Sequence, residues 1–382
     1  MGWDDLTGQA EAIAVMRDAV SDDRLTHSWL ITGPPGSGRS ILAYAFASAL
    51  IARPGDEEAT EAQVRARTHP DLGILSTDRV TITIDEVRQL VAASQYSPSV
   101  GRYRVMVIED ADRMIERTSN VLLKALEEPP PRTVWILCAP SEADLIPTIR
   151  SRVRSVRLRT PSVPEVAELI SRRAGVSMPE AERAAREAQS HIGMAHRLAT
   201  NEEARDRRKR TLELALGIHS VAGAVMAAAE LVSLASADAK AFTDQHDSEE
   251  RERALRSLGI EPGAAVPPGL RAQIKALEDD QKRRATRSMR DGIDRILVDL
   301  LSLYRDILML QLGVETEPVN LAIYPELTAA AGLCDAPRTL QTLDAIATAR
   351  ERIEGNVAPA LALEAMLISA VRDRTAAGKD RA

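Results

Sequence analysis

The spacing of apolar and polar residues divides the chain into an alternating first part and a helical second part. Apolar runs typical of buried strands lie at 27–33, 103–112 and 133–140, and helical spacing follows the first two at 40–52 and 118–128. Strands that alternate with helices predict an α/β fold, a doubly wound parallel sheet with helices on both faces.

Shorter signals complete this first part. A helix is predicted at 9–20, two short strands at 71–77 and 80–84, and a further helix at 85–95. From about Val163 the strand signals cease and short helical segments follow. The pattern therefore predicts a sheet domain followed by a small helical lid.

The remaining residues are helical in pattern except for one polar stretch. We predict three domains: an α/β core at 1–162, a helical lid at 163–205 and an all-α domain at 206–382. The stretch at 244–269 combines many charges with glycine and proline, so we predict a flexible insertion there.

Composition favours a helical, intracellular protein. The 382 residues are 45% hydrophobic but only 3% aromatic, which favours helices over an all-β architecture. The net charge of −7 does not attract nucleic acid, and two distant cysteines form no zinc or disulfide pattern. No signal sequence or long uncharged apolar run is evident. We predict a cytoplasmic protein with no zinc and no membrane partner.

The sequence GPPGSGRS at 33–40 joins the first predicted strand to a helix. Glycines in such a loop let backbone N–H groups point at phosphate oxygens, beside a helix N-terminus that favours anions. Arginine stands where lysine is usual, and a planar guanidinium does not freely replace an ammonium. The alternative is a simple turn with an exposed arginine. The candidate phosphate-binding residues are Gly33, Gly36, Ser37, Gly38, Arg39 and Ser40.

Two acidic residues, Glu109 and Asp110, end the apolar run that begins at residue 103. A phosphate-loop enzyme places an aspartate there to hold Mg²⁺, and then a glutamate to orient the attacking water. The reversed order moves both carboxylates, and a misplacement of about 1 Å already costs about a hundredfold in rate. We therefore expect little hydrolysis. The alternative is that the acids cap a helix near Asp112.

Arginines crowd the segment at 148–160, where they occupy positions 150, 152, 154, 157 and 159. Such a run is more often a solvated basic edge than a catalytic feature. The residues alone leave both interpretations open.

Five segments, taken in order, resemble the AAA+ clamp-loader subunits of bacterial DNA polymerase III: DDLTGQ, HSWLITGPPGSGRS, RVMVIEDADRM, SNVLLKALEEPP and IRSRV. The resemblance covers about 1–205, and the stretch at 355–368 is similar to the closing helix of the family's collar domain. Within the family, the loop arginine and the reversed acids look like the delta-prime branch. Residues 240–290 match no family feature.

The resemblance implies an AAA+ core, a small lid and an all-α collar in a ring with tau/gamma motor subunits and a delta subunit. The ring would act on the sliding clamp and primer-template DNA as part of the DNA polymerase III holoenzyme. This subunit would need no cofactor, holding ATP or ADP with Mg²⁺ weakly at most. Arg152 of the family's Ser-Arg-Cys motif would be a finger for a neighbour's ATP, positioned by Ser151. The alternative is an active motor subunit of the tau/gamma type.

The sequence also departs from the family pattern at three places. The segment at 53–68 replaces the cysteines that bind zinc in many clamp-loader subunits. Val153 replaces the cysteine of the Ser-Arg-Cys motif, and His196 stands where motor subunits carry a sensor arginine. A neutral imidazole would clamp a phosphate less firmly than a guanidinium, and a surface histidine is the simpler interpretation.

Overall fold

Five parallel strands form the centre of the first part of the chain in the computed structural model, which describes residues 3, 6–21, 25–77, 81–257, 271–355 and 357–371. The strands are β1 (Ser28–Thr32), β2 (Leu72–Leu75), β3 (Arg104–Ile108), β4 (Thr133–Ala139) and β5 (Arg154–Arg157). Their order in the sheet is β2-β3-β4-β1-β5, and every neighbouring pair is parallel. The predicted α/β class with a parallel sheet is confirmed.

Nine helices belong to this part of the described chain. They are α1 (Ala10–Ser21), α2 (Arg39–Ile51), α3 (Glu57–Arg65), α4 (Ile84–Ser94), α5 (Glu116–Glu127), α6 (Pro147–Arg150), α7 (Val163–Ala174), α8 (Met178–Glu187) and α9 (Ile192–Thr200). The helices α7 to α9 follow the last strand without further strands between them.

Helices cover both faces of the sheet because side chains alternate along a buried strand. Trp29 and Ile31 of β1 pack in one apolar cluster with residues of α1 and α2. Leu30, between them, packs in a second cluster with residues of α4 and α5. All five residues of β1 are buried, so the strand that precedes the glycine loop is fixed from both sides.

The segment at 80–84 is not a strand of the sheet, so that prediction is wrong. Ile82 makes only an isolated bridge to Met114. The Thr83 hydroxyl accepts the N–H of Glu86, and the Glu86 carboxylate accepts the N–H of Thr83. This capping box starts α4 and ends the extended segment before it can pair further. Residues 78–80 lie outside the described residues.

An edge strand lies inside the arginine-rich segment, where none was predicted. Only Val156 of β5 is buried, while Arg154 and Arg157 are exposed. One apolar residue among four gives no strand signal, so the sequence pattern alone could not identify it.

The second part of the described chain is helical. Its helices are α10 (Glu202–Leu216), α11 (Val221–Ser257), α12 (Arg271–Gln311), α13 (Tyr324–Ala331), α14 (Ala336–Glu354) and α15 (Pro359–Ser369). They share one apolar core, to which Leu231 of α11, Leu300 of α12 and Leu363 of α15 contribute. The insertion predicted at 244–269 is helical up to Ser257, and residues 258–269 lie outside the described residues.

One stretch of α11, Val221–Lys240, passes a test of length and hydropathy for a membrane span, the one such helix among the described residues. It also carries two acids, and both form ion pairs. Glu230 pairs with Arg210 at 2.7 Å, and Asp238 pairs with Arg207 at 2.8 Å. Its buried residues, such as Leu231, belong to the apolar core of the helical part. These contacts are those of a core helix.

Buried polar contacts fix a loop of the helical part. Asp306, on α12, accepts the backbone N–H groups of Val319 at 3.1 Å and Asn320 at 2.8 Å. The Asn320 side chain in turn accepts a hydrogen bond from Arg208 of α10 at 2.6 Å. A buried carboxylate is tolerated here because donors surround it.

The chain divides into two compact units, Met1–Thr200 and Asn201–Ala382. The first unit contains the sheet together with α1 to α9, and the second contains α10 to α15. The boundary predicted between core and lid, near residue 162, falls within the first unit. The division into three domains stays a prediction.

Candidate functional site

The glycine loop lies at the carboxyl end of β1, the end at which open parallel sheets bind ligands. The N–H of Gly33 donates to the carbonyl of Pro140, which directly follows β4, at 3.2 Å. At its other end the loop runs into α2, whose N-cap is Gly38. The loop therefore has the strand–loop–helix setting of a phosphate-binding loop.

Two glycines in the loop adopt backbone angles that other residues rarely take, since φ is 79° at Gly36 and 98° at Gly38. A Cβ at Gly36 would also collide with the imidazole ring of His191, which comes from the segment before α9. The Nδ1 atom of His191 accepts the N–H of Met194 at 3.2 Å, so the start of α9 fixes the ring. A side chain of the lid thus lies directly against the glycine loop.

His196, which stands where motor subunits carry a sensor arginine, is exposed on α9, as expected of a surface histidine. The histidine that meets Gly36 is His191. His191 gave no signal because its contact joins residues that are far apart in sequence.

The Arg39 side chain folds back onto the loop to which it belongs. Its Nη1 atom donates to the carbonyl of Gly33 at 3.0 Å, and its Nη2 atom lies 3.9 Å from the carboxylate of Asp110. Only 14% of the side chain is exposed. The positive charge at the seventh loop position is therefore directed at groups of the same chain.

Glu109 is surrounded by three donors. Its carboxylate accepts hydrogen bonds from the Tyr44 hydroxyl, from Arg67 at 3.0 Å and from Ser76 at 3.3 Å. Burial, and then the nearby Glu109 charge, raise the pKa of Tyr44, so the phenol stays protonated and donates. Arg67 also lies over the Tyr44 ring, 5.3 Å from its centre. Neither Tyr44 nor Arg67 carried a sequence signal.

Asp110 adopts a left-handed backbone conformation, with φ of 51°, at the turn after β3. Its side chain makes no capping hydrogen bond to the short 3-10 turn at 111–113. It lies near two cations instead, at 3.9 Å from Arg39 and 3.5 Å from Arg113. Burial raises the pKa of the neighbouring Asp112. The Asp110 side chain therefore does not cap this turn, contrary to the alternative that both acids cap a helix near Asp112.

The two serines of the loop differ in their surroundings. Ser37 is buried, and its Oγ atom has no hydrogen-bond partner among the described residues. Its carbonyl accepts from the Gln9 side chain at 3.4 Å, and Gln9 also donates to the Arg159 carbonyl at 2.8 Å. Ser40 is half-buried in the first turn of α2. Gln9 therefore ties the loop to the segment after β5.

Arg152 lies at the amino end of the strands, opposite the carboxyl end that carries the glycine loop. It precedes β5, whose first residue, Arg154, pairs with Trp29 near the beginning of β1. The glycine loop follows the carboxyl end of β1, and the five residues of this strand separate its two ends, about 16 Å at ~3.3 Å per residue. An arginine side chain is too short to span that distance, so Arg152 does not reach the glycine loop of its own chain.

The guanidinium of Arg152 has partners at all three nitrogens. Nε donates to Glu127 at 2.5 Å, and Nη2 forms an ion pair with the same carboxylate oxygen. Nη1 donates to the carbonyl of Thr148 at 2.7 Å and contacts the Ser151 hydroxyl at 3.0 Å. Ser151 and Arg152 are adjacent in sequence, whereas Glu127 lies 25 positions from Arg152 and carried no sequence signal.

A polar cavity of about 440 Å³ opens beside this arginine. Its walls are formed by His27, Leu126, Glu127, Ser151 and Arg152. The side chains of Arg152 and Glu127 are 31% and 44% exposed, so both can be reached from solvent.

Two other arginines of the segment have partners of their own. Arg154 stacks over the Trp29 ring, 4.9 Å from its centre. Arg159 forms hydrogen bonds with Glu165 and lowers the pKa of that carboxyl to about 2. Arg150 and Arg157 are exposed. These contacts and exposures are those expected of a solvated basic edge, and they call for no catalytic role of these four arginines.

Comparison with known proteins links the first unit to one family. Residues 8–162 match the family model described as DNA polymerase III, delta subunit. A Pseudomonas aeruginosa protein named DNA polymerase III subunit delta' is 36% identical over 135 residues, which are 33% of this chain and 41% of that protein.

Two further relatives carry names from both branches. A Haemophilus influenzae protein named DNA polymerase III subunit tau/gamma is 30% identical over 162 residues, 41% of this chain and 23% of that protein. A Bacillus subtilis protein named DNA polymerase III subunit delta' is 25% identical over 220 residues, 56% of this chain and 66% of that protein. The matches to the first two relatives span less than half of their lengths.

Proposed function

We propose that the chain is the delta-prime-type subunit of a clamp loader, because residues 8–162 match the family model described as DNA polymerase III, delta subunit, and relatives named delta' and tau/gamma are similar to the chain. In this proposal it acts in the cytoplasm, in a ring with tau/gamma motor subunits and a delta subunit. The ring opens a sliding clamp at primer-template DNA. This subunit braces the ring and supplies Arg152 to the ATP site of a neighbouring motor.

The observation that carries the proposal is the position of Arg152 at the amino end of the strands, opposite the glycine loop at their carboxyl end. Rings are closed by head-to-tail interfaces, in which one surface of a subunit contacts a different surface of the next. A guanidinium on a surface away from its own loop can thereby reach a neighbour's nucleotide and stabilise the charge that develops on the transferring γ-phosphate. Arg152 is too far from the glycine loop of its own chain to act on a nucleotide bound there.

The state of the glycine loop supports a subunit with little ATPase of its own. Hydrolysis requires a cation free to contact phosphate and a carboxylate free to hold Mg²⁺. Arg39 donates to Gly33, while Glu109 accepts from Tyr44, Arg67 and Ser76. With these partners, neither residue is free to contact MgATP, which supports a subunit with little hydrolysis of its own.

A nucleotide bound without turnover is compatible with the proposal. The loop retains the backbone angles of Gly36 and Gly38 beside the N-terminus of α2. The His191 ring against Gly36 opposes entry of a phosphate, so any such binding is weak.

The second candidate is an active motor of the tau/gamma type. This candidate is supported by two relatives named tau/gamma and tau, which are 30% and 31% identical over 162 and 156 residues. It requires Arg39 and Glu109 to leave their present partners when nucleotide binds.

Steady-state hydrolysis of ATP by the purified chain separates the two candidates. We expect turnover far below about 1 s⁻¹, the lower end of the usual range for enzymes. A purified motor subunit serves as the positive control, and the Arg39→Ala variant identifies contaminating ATPase, because contamination survives that substitution. Turnover near or above about 1 s⁻¹ that Arg39→Ala abolishes would establish the motor and overturn the delta-prime assignment.

A further inference from the structure

Glu127 holds the guanidinium of Arg152 from within the same chain. It is the last residue of α5, and its Oε1 atom contacts both Nε and Nη2 of Arg152. The remaining nitrogen is held by the Thr148 carbonyl and the Ser151 hydroxyl. In this conformation the arginine is directed at its own subunit.

A carboxylate in this place opposes the action of a finger in two ways. It partly cancels the positive charge that a neighbour's phosphate would meet, and it occupies donors that the phosphate would need. Arginine binds carboxylates and phosphates through the same planar fork, so Glu127 and a γ-phosphate compete for the same N–H groups.

The ion pair is also exposed enough to exchange partners. Both side chains lie on the wall of the open cavity, and their exposed fractions of 31% and 44% exclude a deeply buried pair. Exposed ion pairs of this kind contribute little to stability. The contact can therefore break when a neighbour presents phosphate, without damage to the fold.

We propose that Glu127 is a positioning residue that holds Arg152 against its own subunit and releases it only when a neighbouring subunit closes over the cavity. This inference rests on the proposed function, because it needs Arg152 to act on a neighbour's ATP. It adds a regulatory contact, the ion pair between Glu127 and Arg152. While this ion pair is intact, Arg152 does not promote hydrolysis in an assembled ring that has not yet bound clamp and DNA.

The test is the Glu127→Gln variant in the reconstituted clamp-loader complex. Glutamine keeps the size of the side chain but removes the charge that competes with phosphate. We expect the ATPase rate without clamp and DNA to rise about two- to fivefold, the range for loss of an exposed ion pair. The rate with clamp and DNA should change little, so the degree of stimulation falls.

A neighbouring residue provides the matched control. Glu128 is an exposed carboxylate one position further along the chain, and Glu128→Gln should leave the unstimulated rate at the wild-type value. The conservative Glu127→Asp variant keeps the charge on a shorter arm and should give an intermediate rate. Thermal unfolding of the purified variants identifies any loss of fold.

The background of Arg152→Ala separates this inference from the proposed function. If Glu127 acts through Arg152, the increase caused by Glu127→Gln disappears when Arg152 is alanine. If the unstimulated rate stays unchanged or falls in Glu127→Gln, while Arg152→Ala lowers the stimulated rate, the proposed role of Glu127 is wrong and that of Arg152 stands. If Arg152→Ala leaves every rate unchanged, the finger assignment fails, and with it the premise of this inference.

Discussion

Asp71, a fully buried carboxylate, fixes the loop that leads into β3. It accepts the backbone N–H groups of Ser99 at 2.6 Å, Val100 at 2.8 Å and Gly101 at 2.7 Å. Arg104 adds an ion pair at 3.3 Å. Burial by itself would raise the pKa of Asp71, but the hydrogen bonds from Gly101, Ser99 and Val100 together hold it below its ordinary value. The ionised carboxylate therefore replaces the regular backbone partners that this loop lacks.

We predict that Asp71→Asn lowers the free energy of unfolding by about 2–4 kcal/mol, because an amide places its own N–H groups against backbone donors. Since the pKa is lower in the folded state, the contribution of Asp71 is complete above the ordinary carboxylate pKa and is lost as the pH falls through the folded value. The difference between wild type and Asp71→Asn should thus shrink in acid.

Urea unfolding at neutral and acidic pH measures this difference. Asp85→Asn is the control, because Asp85 forms only an exposed pair with Arg88 at 3.3 Å and should cost little. Equal stabilities of the two variants at neutral pH would contradict the role given to Asp71.

Single residues also show where sequence reasoning succeeds and where it ends. The arginine at position 39 and the order of Glu109 and Asp110 are visible in the sequence because they interrupt a known local pattern. The contacts that explain them are not visible, because Tyr44 and Arg67 lie 65 and 42 positions from Glu109. Such pairs depend on how α2 and the segment after α3 pack beside β3.

Among secondary-structure elements, α9 has the most direct effect on the glycine loop. Its first turn fixes the His191 ring, and the ring occupies the space next to Gly36. Backbone N–H groups at this position are those that would bind phosphate. We therefore expect the His191 ring to oppose nucleotide binding at the loop.

We predict that His191→Ala increases the affinity for ADP or ATP severalfold, because it opens space beside Gly36 without changing the loop. The measurement is titration of the purified chain with a fluorescent nucleotide analogue. His196→Ala on the same helix is the control, since His196 is exposed and should have no effect. Identical affinities for the two variants would show that the ring does not limit binding.

The elements themselves were predictable to different degrees. Buried strands such as β3 and β4 are continuous apolar runs, so the sequence located them within a few residues. The edge strand β5 has one buried residue and was missed, and the capping box of Thr83 ended the strand predicted at 80–84. Strand prediction depends on burial, and it failed where the sheet is exposed or a helix begins.

For the whole molecule, the proposed function depends on which end of the strands carries which group. The glycine loop and Arg152 lie at opposite ends of β1 and β5, within one compact unit, Met1–Thr200. The resemblance of IRSRV to a family motif pointed to Arg152, but the separation of the two strand ends is known only from the register of the strands. That separation is the reason for our proposal that Arg152 acts on a neighbour's ATP.

The decisive measurement is the ATPase rate of the reconstituted clamp-loader complex, with clamp and primed DNA, when this chain carries Arg152→Ala. Removing one group that stabilises the transition state costs about a hundredfold or more at the site it serves. We predict that the complex assembles normally and loses the share of turnover that comes from the neighbouring motor, and that Arg152→Lys restores it only in part because the planar fork is missing. A stimulated rate equal to that of the wild-type complex would contradict the assignment of Arg152.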